Sequence, residues 1–104
     1  MQSDRNETQL NPTLPNKSQA VKLNELRCKI DKIDSEMSVL LQSRLDLVLE
    51  IAKLKRALGL PLKVCNREEE ILERVSAQAP DEKRCRFITQ IYAEILKASR
   101  SAQV

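Results

Sequence analysis

The sequence predicts an all-α protein of three helices, the first of them very long. Composition is one ground for this: one Gly, four Pro and 32% charged residues suit helices far better than turn-rich sheets. A second is a heptad seam that runs unbroken through the first half of the chain. The third is the lack of any strand alternation or internal repeat. A chain of 104 residues is long enough for one domain and too short for two. Its hydrophobic fraction of 41% can support a core, but one Phe, one Tyr and no Trp leave Leu, Ile, Val and Ala to build it.

Residues 1–18 are polar and contain Pro12 and Pro15, so they read as a flexible tail ahead of a domain over 19–104. The pattern then changes. Leu23, Leu26, Ile30, Ile33, Met37, Leu40, Arg44, Leu47, Ile51, Leu54 and Leu58 alternate steps of three and four, apolar at every position but Arg44. Gly59 is the expected residue just past the helix end, and Pro61 the stop beyond it. From Lys22 to Leu58 a rise of ~1.5 Å per residue gives a rod of about 55 Å. A compact domain of this size has a radius of gyration of about 13 Å, so the rod overshoots a single globule. A second copy is the economical way to cover such a seam.

A short loop, 60–65, leads to Asn66, with Glu69 three residues on, which predicts a capping box at the start of the second helix. Ile71, Leu72, Val75 and Ala79 supply its apolar face. Pro80 and Asp81 end it and offer the next N-cap. Phe87, Ile88, Ile91, Ile95 and Leu96 then mark a third helix towards the C-terminus.

Several function classes are disfavoured. A net charge of +3, basic and acidic residues intermixed, and almost no aromatics speak against nucleic-acid binding. Three widely spaced cysteines (Cys28, Cys65, Cys85) and no histidine match neither a zinc pattern nor a disulfide framework. They read as buried or half-buried small residues in a reducing compartment. The N-terminal residues hold no apolar run, so neither a signal peptide nor a membrane span is expected, and the location expected is cytoplasmic.

The informative positions are polar residues where the pattern wants apolar ones. Arg44 sits on the seam, where a charge is costly without a partner. The plainer reading is an Arg paired with an internal carboxylate, or one that sets coiled-coil register. Lys55 lies eleven residues on, within about 20° of the same face. Lys53 and Arg56 point elsewhere and read as solvated. Arg27 flanks the seam about 25 Å from Arg44 along the axis, too far for one small ligand. An antiparallel partner helix would instead bring its Arg27 towards Arg44 and Lys55. On the second helix Glu68 shares a face with Leu72 and Val75, and Arg67 stands beside it. On the third, the inward stripe continues into Ser99 and Gln103, for which simple fraying is the plainer explanation. Without His, or a cysteine beside a base, this set runs no Ser-His or Cys-His mechanism and builds no metal cage; no metal or cofactor is expected. Guanidinium forks suit a dicarboxylate, and a reaction needing no acid, base or nucleophile fits such a site.

The string LNELRCKIDKIDSEMSVLLQSRLDLVLEIAKLK, then GLPLKVCNREEEILERV and a terminal SRSAQ, resembles the all-helical (type II) chorismate mutases over residues 23–103. The resemblance rests on LR..ID.ID, LL..R, IA..K, a Pro-containing loop, REEEIL and S...Q in the right order. It implies an intertwined homodimer and the Claisen rearrangement of chorismate to prephenate, on the route to phenylalanine and tyrosine. It also implies that Arg27 is lent across the interface, while Arg44, Lys55, Arg67, Glu68, Ser99 and Gln103 come from one subunit. Arg27 and Arg44, assisted by Ser99, would grip the two carboxylates. Lys55 and Gln103 would donate to the breaking ether oxygen, and Glu68 would accept from the ring hydroxyl; Arg44, Lys55 and Gln103 are the expected catalytic residues. Val64 departs from the Asp that some members carry at that loop position. A backbone role towards substrate would survive there, and a side-chain role would not.

Two other functions fit parts of the pattern. An isochorismate pyruvate lyase shares the fold and binds a near-identical dianion, although IA..K, S...Q and the loop length lean towards the mutase. A non-catalytic helical dimerisation module explains the seam, but not Arg44, Lys55, Glu68, Ser99 and Gln103 together.

Overall fold

A computed structural model describes residues 17–62 and 65–104. Val64 and all of the expected tail except Lys17 and Ser18 lie outside the described residues. Helices α1 (Lys17–Leu58), α2 (Cys65–Ala77) and α3 (Glu82–Ala102) make up the chain, with no strand among the described residues. None of the described helices is long and apolar enough to cross a membrane. By internal contacts the chain divides at Leu40 into two units.

In the first unit every described residue of α1 is exposed except the half-buried Arg27. The seam is there as expected, but in solvent: Leu23, Leu26, Ile30, Ile33, Met37 and Leu40 are 37–68% exposed. The same exposure corrects the expectation for Cys28, a free thiol on the surface rather than a buried one. Helix α1 is 42 residues long and begins at Lys17, ahead of the seam's first residue. Gln19, Ala20 and Lys22 are good helix formers, and propensity carries the helix where the apolar pattern has not yet begun.

The second unit, from Leu41 to Val104, has its own core. Ala52 of α1, Ile71 of α2 and Leu96 of α3 are its buried residues, one from each helix. Along α1 the residues drawn inwards here are Arg44, Leu45, Val48, Ala52 and Lys55. Seam residues Leu47, Ile51, Leu54 and Leu58 remain 53–63% exposed. Helix α1 therefore carries two faces: the seam, and a stripe at 44, 48, 52 and 55 that helical periodicity places beside it. Arg44 lies on the seam by sequence and on the second stripe by burial.

The terminators follow local chemistry. Gly59 has φ +72°, the left-handed conformation that needs no Cβ. Its N–H reaches the Arg56 carbonyl at 3.2 Å and the Leu60 N–H reaches that of Lys55 at 2.8 Å, the paired bonds of a Schellman end. At α3, Asp81 is the N-cap and accepts from the Arg84 N–H at 2.8 Å. The second helix departs from expectation. It already includes Cys65, so Asn66 lies inside its first turn and is not the capping residue. It also ends at Ala77, which leaves Ala79 in the linker rather than on its apolar face. Phe87 lies in α3 as the pattern predicts, and its side chain is 63% exposed. It lines a shallow groove with Ile91, Ile95 and Ala98, a second apolar face of α3 on the side away from Leu96. Cys85 is half-buried and 2.8 Å from the Ser76 hydroxyl.

Candidate active site

The three helices of the second unit enclose a cavity of about 290 Å³. Its apolar wall is Leu47, Val48, Ile51, Leu62, Ile71 and Leu96. The polar groups projecting into it are Arg44, Lys55, Arg67, Glu68, Ser99, Arg100 and Gln103. Four cations thus face one carboxylate, so the lining carries an excess of positive charge.

Each polar group is held by a local contact. Arg44 Nη1 donates to Ser99 Oγ at 3.0 Å, and its guanidinium carbon sits 5.9 Å from the centre of the Tyr92 ring. Among the described residues no carboxylate pairs with Arg44, so the internal ion pair that would have explained it is not there. Ser99 Oγ in turn donates to the Ile95 carbonyl at 2.8 Å. That back-bond is the usual way for a helix to accommodate a serine, and it leaves the oxygen to accept from Arg44. Lys55 Nζ donates to the Leu62 carbonyl at 3.2 Å, across the loop that the Gly59 turn redirects. One of its three N–H groups is used in that contact.

Gln103 is the C-cap of α3, with α3 ordered to Ala102, so the end of this helix is built rather than frayed. Its Nε2 donates to the Ser99 carbonyl at 3.3 Å, and its own carbonyl accepts from Arg56. Arg56, expected to be solvated, thereby ties the end of α1 to the end of α3. Arg67 lies at the exposed rim and pairs with Glu70 at 3.4 Å. Glu68 is more enclosed, and its Oε1 meets Arg100 Nη1 at 2.5 Å.

Six of the eight residues singled out by sequence therefore share one cavity: Arg44, Lys55, Arg67, Glu68, Ser99 and Gln103. Arg27 belongs to the first unit and is not among the lining residues, and Val64 lies outside the described residues. Arg100 was missed. Its only sequence signal is its place in the last turn of α3, three residues before Gln103, where a basic residue is also explained by the helix dipole.

A family model described as chorismate mutase type II matches residues 26–104. The chain belongs to the type II chorismate mutase family. Among solved structures, chorismate mutase form II from Thermus thermophilus superposes with a TM-score of 0.74 at 35% identity, covering 79% of this chain and 93% of that one. A conserved hypothetical protein from Pyrococcus furiosus gives a TM-score of 0.68 at 35% identity, over 80% and 96% of the two chains. The bifunctional chorismate mutase/prephenate dehydratase of Aquifex aeolicus is 35% identical over 78% of this chain, which spans 24% of that protein. The chorismate mutase of Methanocaldococcus jannaschii is 39% identical over 52% of this chain and 54% of its own length. Against these two curated relatives the chain spans about a quarter and about half of their length.

Proposed function

We propose that this chorismate mutase family chain itself converts chorismate to prephenate, as an enzyme of aromatic amino acid synthesis in the cytoplasm. The supporting observation is the cavity chemistry: Arg44, braced by Ser99, projects donors together with Lys55 and Gln103 into one cavity of about 290 Å³, a size suited to a small molecule. Chorismate carries two carboxylates and an ether oxygen that gains negative charge as its bond breaks. A unimolecular pericyclic reaction of this kind asks for no proton transfer and no covalent intermediate. It gains from a fixed folded conformer and from donors aimed at the developing charge.

The proposed roles follow from donor type. Arg44 supplies a planar fork for one carboxylate, with Ser99 holding that fork in place. Lys55 and Gln103 point donors at the ether oxygen, where their interaction strengthens on approach to the transition state. Glu68 accepts from the ring hydroxyl, and Arg67 adds positive charge at the rim. The second carboxylate is assigned to Arg27 of a partner subunit in an intertwined homodimer, for which the exposed seam of the first unit provides the apolar surface. Val64 is assigned a backbone contact only.

The test follows chorismate loss by absorbance and identifies the product. Prephenate is the expected product. A parallel assay with isochorismate covers the rival: pyruvate released from isochorismate, with chorismate left intact, would instead establish the lyase, and turnover of neither would leave a helical interaction module.

A further inference from the structure

Arg100 belongs to none of the roles above, yet it makes the most enclosed ion pair among those described. Its guanidinium and the Glu68 carboxylate are 35% and 24% exposed, against 57% and 60% for Arg67 and Glu70 and 78% and 82% for Arg86 and Glu82. Exposed pairs of the latter kind contribute little. A shielded pair at 2.5 Å is screened less and orients both groups. The pair also bridges helices: Glu68 opens α2, and Arg100 closes α3 thirty-two residues later.

The chemistry of the cavity gives this pair a purpose. A bare carboxylate repels a dianion, so Glu68 alone would oppose the binding of the very ligand its neighbours attract. Arg100 cancels that charge. It also engages Oε1 and so turns the carboxylate, leaving Oε2 as the acceptor on offer. The main chain of Arg100 adds a second tie, since its carbonyl accepts from the Gln103 N–H at 3.1 Å and closes the helix on which Gln103 is mounted.

We propose that Arg100 is a positioning residue, which neutralises Glu68 and fixes its carboxylate so that one oxygen accepts from a hydroxyl of the bound dicarboxylate. The inference rests on the chorismate mutase reading of this cavity. It predicts that Arg100 acts through Glu68 and not by direct contact with substrate.

A double-mutant cycle on the full chain tests it, with chorismate as the probe. Arg100→Ala is expected to lower kcat/KM roughly tenfold, the scale of one charge-assisted hydrogen bond. Arg100→Lys, which keeps the cation, should recover at least half of that loss on a logarithmic scale. In a Glu68→Gln background, Arg100→Ala should change kcat/KM less than about twofold, because coupled residues are not additive. An equal loss in both backgrounds would show that Arg100 binds substrate or supports the fold on its own account, and would overturn the proposal. Wild-type activity in Arg100→Ala would overturn it too. If Arg100→Ala loses its helical circular dichroism, Arg100→Gln takes its place in the same cycle. An unmodified chain that leaves chorismate untouched would instead remove the mutase reading, so the two failures are distinguishable.

Discussion

At the level of single residues, the cavity divides its donors by how firmly they are held. Arg44 has two orienting partners, the Ser99 hydroxyl and the Tyr92 ring. Lys55 has a single 3.2 Å contact to a loop carbonyl, easily exchanged for a ligand oxygen. If Lys55 stabilises charge on the ether oxygen, Lys55→Ala should cost about 10²–10³ in kcat. Circular dichroism should remain helical, and near-normal turnover would remove Lys55 from the mechanism. Gln103 allows a sharper test, because an amide donates at every pH. A glutamic acid in its place donates only while protonated, below an ordinary carboxyl pKa of about 4.3. Gln103→Glu should therefore be active in acid and lose activity as pH rises through the range where its carboxyl ionises. A pH profile as flat as that of the parent would argue against an ether contact.

Among the helices and their connections, ends matter more than middles. The Schellman turn at Gly59 stops a 42-residue helix and redirects the chain, so that Leu62 offers its carbonyl to Lys55. Space is not what demands glycine here, since a Cβ at Gly59 would meet nothing within 4 Å. The backbone is: a side chain at φ +72° costs roughly 1 kcal/mol. For a domain of this size, Gly59→Ala should lower Tm by about 4–8 °C. An unchanged Tm would mean that the turn is not held in the left-handed form. The other terminators are of the same local kind and were legible from sequence, Asp81 above all. Asn66 misled because a good capping residue can also sit inside the first turn, where Cys65 has already entered the helix.

For the molecule as a whole, the exposed seam is the unfinished business of the fold. Leu23 through Leu40 leave a row of large apolar side chains in solvent, more than scattered surface leucines require. The proposed homodimer, in which a second copy covers the row and lends Arg27, is tested by a mixing experiment. Arg27→Ala and Arg44→Ala should each be nearly inactive alone. Refolded together as a one-to-one mixture, they should regain roughly a quarter of wild-type activity, because half of the dimers are mixed and one of their two sites has both arginines. No recovery would show that Arg27 and Arg44 serve the same subunit, and full activity of Arg27→Ala alone would show that Arg27 has no role. The two-faced character of α1 belongs here too. Leu54 and Leu58 turn outwards and Leu47 and Ile51 stay exposed along the cavity wall, while Val48 and Ala52 serve the core.

The three helices, most of their stops, the uninterrupted seam and six of the cavity's polar residues could all be read from the order of the amino acids. Each of these is written in short-range terms, as periodicity, a glycine or an aspartate at a terminus, or a charge where an apolar residue was due. Packing in three dimensions was needed to show that Arg44 meets Ser99 and Tyr92 rather than a carboxylate, that Phe87 stays in solvent, and that Arg100 holds Glu68. The last contact joins residues thirty-two apart. No local pattern encodes such a pair, because packing α2 against α3 is what brings the two charges together, at a place shielded enough for their attraction to count.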